Sequence, residues 1–344
     1  MNHYVLGMGL ILALTTPTTA HHSWATNYRT AEPQIEITGI ITQIEWKNPH
    51  VRMQMTVDAD KPSAKSWSIE STSVAQLSRM DVTPNLMKVG QTVKVAGYAG
   101  IQSSTSVYMM HLLLPDNREV IFNYDASPRW PGEHIGDTGK LAGSIVEPDI
   151  RKRPSSIFAV WNTIYGDPKS HAAAAQKIAA AINPVIANKA AAKTTVVADV
   201  LPSAETYCAP KALPLAMGNP YPIQFEKSGK DVLLKLEEND LVRTIHISAT
   251  HDDSSAKLNI MGYSTGLWIG EGEKKLVVTT TKIDNKTLGA RTRLTETFEL
   301  SADRNRLDYT STLSDPDKPS APATTSKYWQ YSPGATIQLY NCSL

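Results

Sequence analysis

What most constrains this chain is a period of two that runs through two separate stretches, in short alternating segments broken by turn residues. A strand turns successive side chains to opposite faces, so segments of this kind bury one face and leave the other to water. Between residues 34 and 124, Ile35, Ile37, Ile41 and Ile44 thread a long first segment, with Gly39 where a bend or bulge would sit. Val51, Met53, Met55 and Val57 then alternate with Arg52, Gln54 and Thr56. Residues 66–70 make a third segment, and 73–80 carry a helical pattern behind a Ser73 cap. Val93 and Val95, then 107–114 extended by 120–122, complete the set. Strand, strand, strand, short helix, strand, strand predicts a small five-stranded OB-like barrel over residues 21–125.

The second stretch, residues 206–344, reads as strand at 223–226, 232–237, 242–247, 267–269, 276–281, 294–300, 307–313 and 327–331. Turn residues such as Ser228-Gly229 and Asp303-Arg304-Asn305 fall between most of these segments. Eight strands suffice to close a calycin-like barrel, or to build an antiparallel sandwich. Between the two β regions lies an expected connector at 126–205, rich in proline (Pro128, Pro131, Pro148, Pro154), with a basic triplet Arg151-Lys152-Arg153 read as solvated. Within it the Ala-rich run at 171–193 favours a helix that Pro184 ends or kinks. The expected class is therefore mostly β, with an Ala-rich helical linker between an OB-like barrel and a calycin-like barrel or sandwich. No internal repeat relates the two β regions.

At the amino terminus, an apolar run of about ten residues ends before Thr15, Thr16 and Pro17, and Ala20 offers a small cleavage residue. Residues 1–20 are read as a signal peptide, although only His3 stands where Lys or Arg usually lies. The run is too short to span a bilayer, which takes about 20 residues. The expectation is a periplasmic or secreted protein without a membrane span. Export also means an oxidising compartment, in which the two cysteines, Cys208 and Cys342, can pair across the last domain; two cysteines alone fix no geometry.

Composition excludes several function classes. With 34 basic and 33 acidic residues among 344, there is no basic excess of the kind broad nucleic-acid binding requires. The 41% apolar fraction is enough to bury a core, which excludes a disordered or collagenous chain. There is no phosphate-binding Gly-rich loop, dinucleotide fingerprint, HExxH or CxxC. Gly262-Tyr263-Ser264-Thr265-Gly266 has the GxSxG spelling, which raises a hydrolase reading through Ser264. Strand-like residues follow it instead of a helix, so a β-turn is expected there.

The most informative constellation is the mature terminus. Cleavage after Ala20 makes His21 the first residue, followed by His22. An amino-terminal histidine is a preformed chelate: its α-amine, with an unperturbed pKa near ~8, and its ring Nδ1 can bind one ion together. One more imidazole gives three nitrogens, a set that suits Cu(II). His50, in Trp46-Lys47-Asn48-Pro49-His50, is the candidate third donor, and His22 rivals it. On this feature alone the chain resembles the histidine brace of lytic polysaccharide monooxygenases and of some periplasmic copper carriers. The bland alternative is a solvated histidine tail with His50 in a surface turn. His111 and His246 lie in expected strands, His251-Asp252-Asp253 in a turn and His134 in a loop, where structural roles are expected. Trp24, Trp46 and Trp67 either line a cleft beside the terminus or pack in the core.

Two motifs carry a wider resemblance. His21-His22-Ser23-Trp24 with Tyr28 and Gly39, followed by Glu45-Trp46 and Asn48-Pro49-His50, resembles an uncharacterised bacterial exported domain. The resemblance runs to about residue 124 and implies a periplasmic β-barrel without an established activity. Residues 205–344 are more loosely similar to a partner module with a Cys-x-Pro start (Cys208-Ala209-Pro210), an Asn-Pro-Tyr-Pro element at 219–222 and a Gly-x-Ser-x-Gly-x-Trp turn. That module continues into Trp-Glu-Gly-Asp. Here the run is Trp268-Ile269-Gly270-Glu271-Gly272, so the acidic position after Trp268 is lost. The function expected is binding, of copper through His21, His22 and His50. The alternatives are a small-ligand or accessory barrel without metal, and a copper-dependent oxidase or monooxygenase. The sequence assigns no catalytic residue and no oligomeric state.

Overall fold

Both alternating stretches become sheets, and the fold is mostly β. The computed structural model describes residues 27–124, 126–136, 150–164, 208–317 and 322–342. The signal-peptide reading, His21, His22, Trp24 and the Ala-rich helix at 171–193 lie outside the described residues.

The first barrel contains β1 (Ile35–Glu45), β2 (Arg52–Val57), β3 (Lys65–Glu70), β4 (Thr92–Ala99) and β5 (Ser106–Leu113). β1 pairs antiparallel with β2 and β4, β2 pairs with β3, and β4 with β5. A parallel β3–β5 pairing closes the ring. The inward positions of these strands, among them Ile41, Met53, Met55, Ile69, Val95 and Leu112, form one core. Between β3 and β4 lies α1 (Val74–Arg79), and the Ser73 side chain accepts from the Gln76 N–H at 3.2 Å, the cap the sequence predicts. The bulge expected at Gly39 falls instead between Ile41 and Gln43. Gly39 serves close approach: a β-carbon there would sit 2.6 Å from the Thr56 carbonyl oxygen.

Two further strands extend the sheet: β6 (Glu119–Ile121) pairs with β5, and β7 (His134–Ile135) pairs with β6. β7 comes from the stretch read as connector. So does β8 (Val160–Asn162), which belongs to the second sheet. The basic triplet is not wholly solvated either, since Arg153 is mostly buried and donates to the Asp303 carbonyl at 2.9 Å.

The second barrel adds β9 (Ile223–Ser228), β10 (Asp231–Leu236), β11 (Leu241–Ile247), β12 (Tyr263–Trp268) and β13 (Lys275–Thr281). β14 (Arg293–Leu300), β15 (Arg306–Ser314) and β16 (Ala323–Tyr331) follow, and β8 bridges β16 to β9 to close the ring. Closure decides between barrel and sandwich. The barrel is not antiparallel throughout, because β11 and β12 run parallel. Its core carries a chain of aromatic contacts: Phe225 to Phe298 and Phe298 to Tyr309 with ring centres 5.1 Å apart, then Tyr309 to Trp329 at 5.4 Å. Each such side chain contributes about 1.5–3 kcal/mol by leaving water.

The two barrels meet through the carboxyl-terminal segment. Cys208 and Cys342 form a disulfide with Cα atoms 5.6 Å apart. Tyr340 then packs edge-on against Tyr221 beside Ala75 of α1, and the Asn48 side-chain amide donates to the Tyr340 carbonyl. Arg79 of α1 grips Glu237 with both guanidinium nitrogens.

Candidate functional site

His50 sits on the short approach to β2, where the backbone is pinned on both sides. Val51 donates to the Thr72 carbonyl at 3.0 Å and accepts from the Ser71 N–H at 2.9 Å. The imidazole lies against Glu70, the last residue of β3, with Nδ1 2.8 Å from Oε1. Tyr28 anchors the other carboxylate oxygen, its hydroxyl donating to Oε2 at 2.7 Å. Burial alone would raise the Glu70 pKa, but the bonds from His50 and Tyr28 and the charge of Arg52 hold it below the usual carboxylate range. Glu70 thus sets a carboxylate against Nδ1, the ring atom on that side, and leaves Nε2 as the ring nitrogen it does not hold.

The neighbourhood is polar on the side of the second barrel. Glu238 feels the His50 and Lys211 charges, yet burial dominates and pushes its carboxyl up. Asn48 is occupied at the domain junction, with its side-chain oxygen 3.5 Å from the Ala75 N–H and its carbonyl 3.2 Å from Cys342 Sγ. Trp46 and Trp67 pack against the first core. The Trp-x-Asn-Pro-His motif thus divides between packing, domain docking and one oriented histidine.

Of the three nitrogen-donor residues read from the sequence, the described residues hold only His50. Among them no group of three His, Cys, Asp or Glu side chains is arranged to hold a metal ion. Tyr28 itself is held in the first barrel. It bridges to Gly100, and Arg29 donates to the Ala99 carbonyl, so the chain is fixed there beside Glu70.

Three other described histidines have structural partners. His111 is buried with Nδ1 2.8 Å from Glu119, and that carboxylate also accepts from the Arg129 and Trp130 N–H groups. Burial lowers the His111 pKa, with Glu119 opposing. His246 meets Asp231 at 2.9 Å, and His251 lies between the Thr265 and Thr281 hydroxyls at 2.7 and 2.9 Å. His134 is exposed at the sheet edge in β7.

Ser264 is in strand β12, not in a turn, and faces the interior of the second barrel. It accepts from Arg243 Nε at 2.9 Å and lies 3.0 Å from the Thr280 hydroxyl. No histidine is bonded to it among the described residues, so the nucleophile geometry is missing there. Arg243 also grips Glu296 with two nitrogens, and the Tyr309 hydroxyl donates to Glu296 at 2.9 Å. Sequence reasoning missed Glu70 and this interior cluster, whose partners are brought in by strand register, and Glu238, whose partner Lys211 comes from the irregular segment before β9.

Residues 10–107 match a family of unknown function (DUF6152), a span that contains both histidine motifs. No curated protein matches the chain. Among solved structures, a crystal structure of the ZRD-deleted mutant of TiaS in complex with agmatine is similar at 13% identity over 24% of this chain, with a TM-score of 0.19. The likeness spans about a fifth (22%) of that protein and carries no argument here.

Proposed function

We propose that the protein is an exported binding protein, periplasmic or secreted, whose first barrel holds one copper ion. The donors are the α-amine and ring of His21, with the imidazole of His50 or His22 completing three nitrogens. Copper, when bound, supplies a Lewis-acidic and redox-active centre. The carrying observation is the Tyr28–Glu70–His50 relay, in which a carboxylate holds Nδ1 of the ring. Histidines that bind metal commonly donate their other ring N–H to such a carboxylate, which fixes the tautomer and makes the ligand more basic. His111 makes the same pair with Glu119 but is enclosed in the first domain's core. The strand order β1-β2-β3-β5-β4, with α1 between β3 and β4, supports reading the first barrel as OB-like. The second is read as calycin-like.

The test is calorimetric titration of Cu(II) into protein beginning at His21, beside protein with one extra residue before it. The expected outcome is one site in the first, greatly weakened in the second, because the α-amine has become an amide while both imidazoles remain. Equal binding by both would place the copper elsewhere.

A further inference from the structure

Beyond β16 the chain joins no further strand, and residues 332–342 run as an irregular strap across the junction of the two barrels. On one side the second barrel holds it: the Gln338 N–H donates to Glu237 Oε2 and the Tyr340 N–H to Asp240 Oδ1, both at 3.0 Å. On the other side it holds the first barrel. The Gln338 side-chain oxygen accepts from the Ser78 hydroxyl at 2.9 Å, the Tyr340 carbonyl accepts from the Asn48 amide, and Cys342 Sγ lies 3.2 Å from the Asn48 carbonyl oxygen. The Tyr340 ring packs with Tyr221 of one body and Ala75 of the other. These are separate bonds without a ladder to make them cooperative. The Cys208–Cys342 bridge pins the end of the strap to the start of the second domain and so keeps its groups concentrated at the junction. With the bridge cut, the strap is a chain end tied only at β16, and such ends fray.

Both cysteines are only half-buried, and the chain has no third cysteine with which the bridge could exchange. We propose that strap and bridge form a redox-operated clasp: reduction of Cys208–Cys342 by a dithiol frees the strap and lets the two barrels part. One sulfur of the dithiol, as thiolate, attacks a bridge sulfur and expels the other cysteine as a thiolate, which takes up a proton. The second sulfur of the dithiol then expels the attacked cysteine, so both cysteines end as thiols and the dithiol as a cyclic disulfide. Arg79 on Glu237 crosses the junction without the strap, but Glu237 loses its Gln338 partner in the same event. Asn48 loses Tyr340 and Cys342, and it stands two residues before His50, so the clasp reaches the motif that carries that histidine.

The experiment uses the full mature protein freed of metal with chelator, so its result does not depend on the copper reading. Small-angle X-ray scattering and amide hydrogen exchange are recorded for the oxidised protein, for protein reduced with dithiothreitol, and for reduced protein reoxidised with glutathione disulfide. Reduction should raise the radius of gyration by several ångströms and strip protection from the Gln338 and Tyr340 amides, while the strand amides of both barrels stay protected. Reoxidation should reverse both changes. The double variant Cys208→Ser, Cys342→Ser should scatter like the reduced protein and ignore dithiothreitol; where it does not fold, the reduction and reoxidation of the wild type decide. A bridge that dithiothreitol leaves intact in the folded protein, a reduced protein with unchanged scattering, or loss of strand protection throughout the second barrel on reduction would overturn the proposal.

Discussion

The first barrel sets carboxylates against its enclosed imidazoles: Glu70 against His50, and Glu119 against His111. The second barrel does this at Arg243 and departs from it at Lys327. Arg243 is enclosed by Glu296, Ser264 and Thr280, whereas Lys327, buried on the last strand of the same barrel, has a carbonyl and an aromatic face. Both residues cost desolvation, and only the arginine recovers it within the described chain. The difference separates two uses of buried charge. Arg243 recovers its cost through a counter-charge; Lys327 has only a carbonyl and a ring to do so.

The comparison breaks most visibly at the arginine. Glu296→Gln leaves the Arg243 guanidinium buried without its counter-charge, so the second barrel should lose about 3–5 kcal/mol of stability in denaturant titration. Next is the covalent tie between Cys208 and Cys342. Replacing both with serine releases the segment that carries Tyr340 to Asn48 and should cost about 2–4 kcal/mol in the same measurement.

In the first barrel, Glu70→Gln keeps the shape but removes the negative charge beside His50 Nδ1. Copper affinity should fall by about 10–100-fold, as it does when such supporting carboxylates are lost. The last effect is a slope. Burial holds Lys327 at about 7 in the folded protein against its ordinary 10.5, so between those values the unfolded chain binds the extra proton. Stability should therefore rise with pH through that window, by up to about 1.4 kcal/mol per unit, and Lys327→Met should flatten the rise. Above about pH 10 the buried Tyr309, raised well past its ordinary value, acts in the opposite direction.

Strands long enough to show alternation were legible in the sequence. β10 and β13 bury every second residue, and their positions were readable without a structure. β7 and β8, with two and three residues, are too short to carry a period and so were read as connector. Parallel closures such as β3–β5 join segments far apart in sequence and leave no local trace. The same holds for the sites. His50 stood out by its motif, but its Glu70 partner is set by the β2–β3 register, which places Arg52 opposite Glu70. Lys327 was hidden for another reason: a charged residue in a strand reads as outward, and only closure of the barrel shows it facing in.

The central claim is that His50 is a copper ligand held by Glu70, and paramagnetic resonance of the Cu(II)-loaded protein beginning at His21 tests it most directly. The account predicts three equatorial nitrogens in the wild type, one fewer in His50→Ala, and no change in His111→Ala. A nitrogen count that stays the same in His50→Ala would contradict it.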